Sequence, residues 1–377
     1  MTDRRPEHAD GGALPSSSPR MPYGGQAVIE GVMIRGPRYA ALACRLPQPD
    51  GQPGIDTGID LRTEAIRSPY VKRPWLRKVP LVRGVVSLYE MLTVGLRALE
   101  RSANLALPAQ LAVPHLPLIT MAGDDEPVAP PPAADAAGAL NGPLLWGTIA
   151  VSFSIGLALF VFLPHAIGAW LTKLIGSDSA WVLNLIEGGV RLAIFVAYVG
   201  LIGLMKDIQR VFAYHGAEHK VVNAWEARPL GDESPITLAE ALPFSVIHPR
   251  CGTNFAFIVI FMSILIFALL PNPDSLWLRL GWRMLILPLV VALSFELLRL
   301  VGRFRNARLL GLMVLPGMLM QRLTTRAPSE DMVRVALTSL DAVRAAEEEG
   351  EVRSERLDAL GAAPLAGGLQ QAREVPA

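Results

Sequence analysis

"LLWGTIAVSFSIGLALFVFLPHAI", residues 144–167, contains no charged side chain. The hydrocarbon core of a bilayer takes about 20 consecutive apolar residues in helical form. The run therefore reads as a membrane span, and the rest of the chain has to be read around it. Residues 251–273 are equally free of charge. Trp181 to Met205 is apolar except for Glu187 and Arg191, an acid four residues ahead of a base, which can pair along one helix face turned to protein or water. Leu280 to Leu300 carries Arg283, Glu296 and Arg299 with Pro288 in its middle, which predicts a kinked span. The expected fold class is mainly α: a polytopic helical membrane protein with about four transmembrane helices.

Composition agrees with this class. Of 377 residues, 51% are hydrophobic, and the mean hydropathy is +0.36. Lys plus Arg number 35 against 34 Asp plus Glu, which argues against nucleic acid as a partner and leaves the lipid bilayer as the expected one. Cys44 and Cys251 lie too far apart in sequence to suggest a disulfide framework and read as free thiols or ligands. Four spans put both termini and the loop from Met205 to Cys251 on one side. That side holds Lys206, Arg210, Lys220, Arg228 and Arg250, then Arg303, Arg305, Arg308, Arg322 and Arg326, whereas the opposite loops offer Lys173, Arg279 and Arg283. The positive-inside rule makes it cytoplasmic.

Outside the spans the chain divides by composition. Residues 1–21 have no apolar core and read as a disordered leader. Residues 22–70 hold "GGQAVIEGVMIRGPRYAALACRL", small and β-branched residues between glycines, which predicts one or two short strands. Within 71–106, Leu81, Val85, Leu88, Leu92, Leu96 and Leu99 recur at helical spacing among charges, the pattern of an amphipathic helix lying on the membrane surface. Residues 107–143 are rich in Pro and Ala and read as a flexible linker. The first two spans occupy 144–205, the cytoplasmic loop 206–253 and the last two spans 254–303. In 304–349, "LLGLMVLPGMLM" is too short to cross and is broken by Pro316 and Gly317, so it reads as interfacial or re-entrant. Ser329 then opens a soluble helix, and 350–377 reads as a disordered tail.

The chemistry concentrates in the cytoplasmic loop. In "AYHGAEHKVV" (213–222), His215 and His219 are one helical turn apart and project from one face, the spacing at which two imidazoles share a zinc ion. Glu218 completes an H-x-x-E-H order, in which the glutamate serves as general base. Histidines where a helix leaves lipid can also simply reach for water. The second cluster, "HPRCGTN", sets His248 and Cys251 three apart in a Pro/Gly turn, able to present nitrogen and thiolate to one ion. Both ends of the loop return to one membrane surface, which favours a divalent metal, zinc by ligand type. Glu226 lies seven residues, roughly 10 Å of helix, past His219, too far to share its ion, and is kept as a supporting or substrate-facing group with Arg250. Glu30 reads first as a strand residue paired with Arg35 or Arg38, and Glu296 as a partner of Arg299 or a functional carboxylate within a span. No Walker loop, dinucleotide fingerprint or serine elbow occurs.

Several blocks together, "GGQAVIEGVMIRGP", "KVPLVRGVVSLYEML", "YHGAEHKVVNAWE", "HPRCGTNFAFIV", "SFELLRLVGR" and "PGMLMQRLTT", resemble the YqhQ family of bacterial integral membrane proteins. The likeness covers most of residues 22–340. It implies a multi-pass protein of the bacterial inner (plasma) membrane whose activity is unknown, labelled a predicted metal-dependent enzyme. The family's shared polar positions fall on Glu30, His215, Glu218, His219, Glu226, His248, Arg250, Cys251 and Glu296. This chain departs from the pattern at Phe295, where tyrosine is usual, and at Ala327 and Arg334, where acids are usual; its linker is also longer.

Two functions follow as expectations. In the first, a zinc-dependent hydrolase works at the cytoplasmic membrane face, with His215, His219 and one or both of His248 and Cys251 as ligands and Glu218 as catalytic base. In the second, a non-enzymatic protein has a closed four-ligand metal site serving assembly, transport or sensing. Substrate and oligomeric state are left open by the sequence.

Overall fold

A computed structural model describes residues 23–46, 58–106, 142–177, 179–270, 273, 275–303, 308–350, 352 and 354–357. The expected leader, nearly all of the expected linker and most of the expected tail lie outside these residues.

The N-terminal element is larger than the one or two strands expected. Strands β1 (Gly24–Val28), β2 (Gly31–Arg35), β3 (Tyr39–Arg45) and β4 (Ile59–Ala65) form an antiparallel meander. β5 (Ser354–Leu357), from the segment expected to be disordered, pairs along β4 with Ile59 opposite Leu357. The reason is burial on both faces. "GVMIR" and "YAALACR" do not alternate apolar with polar, because a sheet covered on each side buries every position. Val32, Ile34, Ala41, Ala43 and Leu61 face one helical layer, while Met33, Ala40, Leu42 and Cys44 face another.

Among the described residues, eight principal helices follow: α1 (Val82–Ala106), α2 (Gly142–Leu157, continued through a wider π-turn at Ala158–Phe162 into Leu163–Ile175), α3 (Ala180–Ile202), α4 (Lys206–Ala227), α5 (Gly252–Ala268), α6 (Leu276–Arg303), α7 (Arg308–Thr324) and α8 (Glu330–Glu349). α4 and α8 supply the core against one face of the sheet through Tyr214, Ala217, Val221, Val333, Ala336, Leu340 and Val343. α1 covers the other face through Val94 and Ala98. Ser339 of α8 enters the sheet itself: its hydroxyl accepts from Ile34 N at 3.1 Å and donates to Ala41 O at 2.9 Å, bridging β2 and β3.

Among the described residues, two helices are long and apolar enough to cross a membrane, Ala150–Ile175 and Ala180–Ile202. α5 is apolar but 17 residues long. α6 has the length, 28 residues, and runs on through Pro288, but carries five charged side chains, Arg279, Arg283, Glu296, Arg299 and Arg303. The expected pair of Glu187 and Arg191 forms at 2.7 Å, and Arg283 of α6 and His165 of α2 join the same buried carboxylate. α7 corrects another expectation. Pro316 does not break the helix, which continues from Arg308 to Thr324, since a proline removes one backbone donor and the rest of the ladder persists. Gly317 is required there by contact: a Cβ would stand 1.8 Å from Asn254 Oδ1 on α5.

Candidate metal centre

The site forms where α4 meets the start of α5. On α4, one turn of helix stacks the rings of His215 and His219 with centroids 4.4 Å apart. Cys251 is the N-cap of α5, its sulfur accepting from Thr253 N. The chain between these helices is fastened back onto α4. Lys220 Nζ donates to Leu242 O and, at 2.6 Å, to Phe244 O, and Asn223 Nδ2 donates to Ser245 O and Ile247 O at 2.9 and 3.1 Å. The turn holding His248 is fixed from α7. The Gln321 amide accepts from His248 N and donates to His248 O, each at 2.8 Å. Asn254 Nδ2 donates to Pro249 O at 2.7 Å.

These restraints bring His215 Nε2 to 3.1 Å from Cys251 Sγ. Ligand atoms of His215, His219 and Cys251 all lie within 4.8 Å of one another. The other nitrogen of each imidazole faces a backbone carbonyl: His215 Nδ1 lies 2.8 Å from Thr324 O, and His219 Nδ1 2.6 Å from Val246 O. A carbonyl oxygen only accepts, so both Nδ1 atoms carry the proton, and both Nε2 atoms present a lone pair to the same small volume. His219 Nε2 is buried and has no hydrogen-bond partner. An orphaned acceptor at 1% residue exposure costs free energy unless something binds it. Two imidazoles oriented by backbone carbonyls, together with the Cys251 sulfur, form a donor set that could hold a metal ion.

Glu218 stands beside this group, its Oε2 3.5 Å from His219 Nε2. Burial pushes its carboxyl above the usual carboxylate range, with the hydrogen bond from the Gly25 amide opposing. Gly25 on β1 must be glycine: a Cβ there would sit 2.7 Å from Glu218 Cγ and 2.6 Å from Met33 O. Exposed Gly25 thus lies directly over the buried glutamate.

The remaining candidates are placed differently. His248 is outside the group of mutually close ligand atoms; its ring is 5.7 Å from that of His219, and its Nε2 is 3.3 Å from Glu226 Oε1. Burial alone would raise the Glu226 carboxyl, but His248 and Arg250, which pairs with it, hold it down at about 2. Glu30 pairs with Arg210 of α4 at 2.6 Å and accepts from Tyr214 Oη at 3.2 Å, so neither Arg35 nor Arg38 is its partner. It takes φ +53° in the two-residue turn between β1 and β2, where glycine or asparagine is the usual occupant. Glu296 pairs with Arg83 of α1 and accepts from Leu81 N at 3.3 Å; its ion-pair partner is thus Arg83 and not Arg299.

Sequence reasoning passed over Gly25, Gly216, Asn254, Gln321 and Thr324, all of which shape the site. Gly216 is pressed by the segment after α7, whose Arg326 O would lie 2.1 Å from a Cβ. The signals were present: polar Gln321 and Thr324 just after an apolar stretch, and paired glycines opening a strand.

The family model described as "Protein of unknown function (DUF1385)" matches residues 79–346. The "Uncharacterized protein YqhQ" of Bacillus subtilis (strain 168) is 29% identical over 326 residues, spanning 85% of this chain and 91% of that protein. No solved structure matches.

Proposed function

The chain belongs to the DUF1385 family, whose function is unknown, and for it we propose a zinc-dependent hydrolase working at the cytoplasmic face of a bacterial inner membrane. α2, α3, α5 and α6 are its four spans, and both termini are cytoplasmic, as the distribution of Lys and Arg favours. The observation that carries the reading is the pair of imidazoles with Nδ1 tied to Thr324 O and Val246 O and Nε2 directed at Cys251. His215, His219 and Cys251 would hold the ion. When bound there, it supplies Lewis acidity and makes water a stronger acid.

Three protein donors would leave the ion open to a further ligand, the mark of a catalytic site, and Glu218 Oε2 stands 3.5 Å from His219 Nε2. Its carboxylate takes a proton from water and returns it to the leaving group; a raised carboxyl pKa suits both tasks. Glu226 and Arg250 steady His248 at the margin. The second reading, a structural metal with no catalysis, draws on burial: Glu218 is 4% and Cys251 7% exposed.

The two readings part on Glu218→Gln. Metal content by mass spectrometry and thermal melting of the purified protein should match wild type, while complementation of a deletion strain is lost. Retained complementation removes the base from the mechanism and leaves the structural reading. Absence of stoichiometric metal in wild type removes both.

A further inference from the structure

From Arg67 to Tyr89 the chain has six basic residues, Arg67, Lys72, Arg73, Arg77, Lys78 and Arg83, and no acidic one. At the centre of this stretch is the 3₁₀ turn Pro74–Arg77. Residues three apart in such a turn share a face, so Trp75 and Lys78 stand together, with Lys78 N donating to Trp75 O at 2.9 Å. Trp75 is 55% exposed, and Arg73, Arg77 and Lys78 are exposed around it. Arg77 stacks its guanidinium over Tyr70, 5.1 Å from the ring centroid, and stays exposed. An open indole among basic side chains is the composition of an anchor at a membrane–water interface.

The fold fixes the height of this turn. The sequence places Leu81 in the apolar stripe of α1; it lies instead in the link before the helix, with φ +68°, a left-handed conformation that leucine adopts only under restraint. Glu296 of α6 supplies the restraint: its carboxylate accepts from Leu81 N at 3.3 Å and pairs with Arg83. Gly84 packs against Phe295 on the same turn of α6. Glu296 comes 20 residues after Leu276, where α6 starts, and that length of helix, about 30 Å, matches the hydrocarbon core of a bilayer. With α6 as a span, Glu296 stands at the cytoplasmic headgroups and holds the basic turn there. The carboxylates packed closest are engaged elsewhere, Glu296 by Arg83 and Glu90 by Ser68 and by Arg35 at 3.5 Å.

We infer that Arg73, Trp75, Arg77 and Lys78 form a docking patch for the anionic phospholipid headgroups of the cytoplasmic leaflet. Guanidinium and ammonium groups donate to the lipid phosphate, and the indole seats at the boundary between headgroup and acyl chain. Basic side chains just cytoplasmic of a span draw acidic lipids to themselves. Charge alone would suit any polyanion; the height set by Glu296 selects lipid. The inference rests on the reading of α6 as a span and not on hydrolase activity.

Brominated lipids test it, because bromine in the acyl chains quenches only indoles that reach the bilayer. Full-length wild type and Trp75→Phe are placed in nanodiscs of phosphatidylcholine and phosphatidylglycerol at equal mole fraction, with one lipid or the other brominated. The difference between the two chains is the Trp75 signal. It should be quenched at least about threefold more strongly when phosphatidylglycerol carries the bromine. High salt should abolish that preference, and so should the triple variant Arg73→Gln, Arg77→Gln, Lys78→Gln. Trp170, Trp181 and Trp277, exposed on α2, α3 and α6, report the spans in the same samples. Quenching of these three without Trp75, equal quenching of Trp75 by both lipids, a preference that survives in the triple variant, or a Trp75 that responds only to added RNA would each overturn the patch. If the three are unquenched as well, the span reading fails and the patch falls with it.

Discussion

Gln321 grips His248 by the backbone: one side-chain amide accepts from His248 N and donates to His248 O, both at 2.8 Å, across 73 residues of sequence. The contact is fully buried. It fixes the turn that delivers Cys251 three residues later, so α7 helps to position a proposed ligand without touching it.

Gln321→Ala strands a buried N–H and a buried C=O, at about 1–3 kcal/mol each. Lower melting temperature and weaker metal retention during dialysis against a chelator are expected together. Gln321→Glu keeps the acceptor and loses the donor, and should fall between. Full metal retention in Gln321→Ala would contradict the positioning role.

The ligand set gives a second prediction. Cys251→Ala and His219→Ala should each leave the purified protein with far less than one equivalent of metal. His248→Ala should keep it, because His248 Nε2 is directed to Glu226 at 3.3 Å. Equal loss in all three would instead indicate four ligands and a closed, structural centre.

Gly25→Ala tests the lid over Glu218. The added methyl lies 2.6 Å from Met33 O and 2.7 Å from Glu218 Cγ, so strand or helix has to shift. Overpacking of this kind costs about 1–3 kcal/mol. Complementation should fall further than the melting temperature explains, since the displaced group is the proposed base; a change in melting alone would place Gly25 in packing only.

Asp341 supplies a pH dependence away from the metal. Burial raises its carboxyl to about 6, with Arg344 and Arg228 opposing. The folded state therefore holds this proton to higher pH than the unfolded chain does. The contribution to stability is complete below the ordinary pKa of 3.8 and is lost as pH rises to about 6. Asp341→Asn cannot ionise and should be more stable than wild type at pH 8 by on the order of 1–3 kcal/mol, with the gap closing near pH 4. Identical melting at pH 8 would show that the buried charge is no burden.

How much of this was legible beforehand differs between elements. The i, i+4 spacing of His215 and His219, the Glu187–Arg191 pair and the apolar stripe of α1 are properties of a single helix, and local periodicity carries them. The sheet was underestimated because β2 and β3 are buried on both faces and lose the alternation that announces a strand. Ser354–Leu357 falls in the segment expected to be disordered, and it orders as an edge strand beside β4.

By itself the sequence determined two charge-free runs that must be helical in apolar surroundings, one face bearing two imidazoles, and two polar clusters at the ends of one loop. Only the tertiary structure decided that Cys251, rather than His248, closes on those imidazoles, and that Glu296 answers to Arg83. It also tied Thr324 O, 109 residues away, to His215. The physical reason is range. Spacing along a helix sets which side chains share a face, whereas ligand choice depends on tenths of an ångström fixed by Gln321, Asn254 and Gly317, whose partners are distant in sequence.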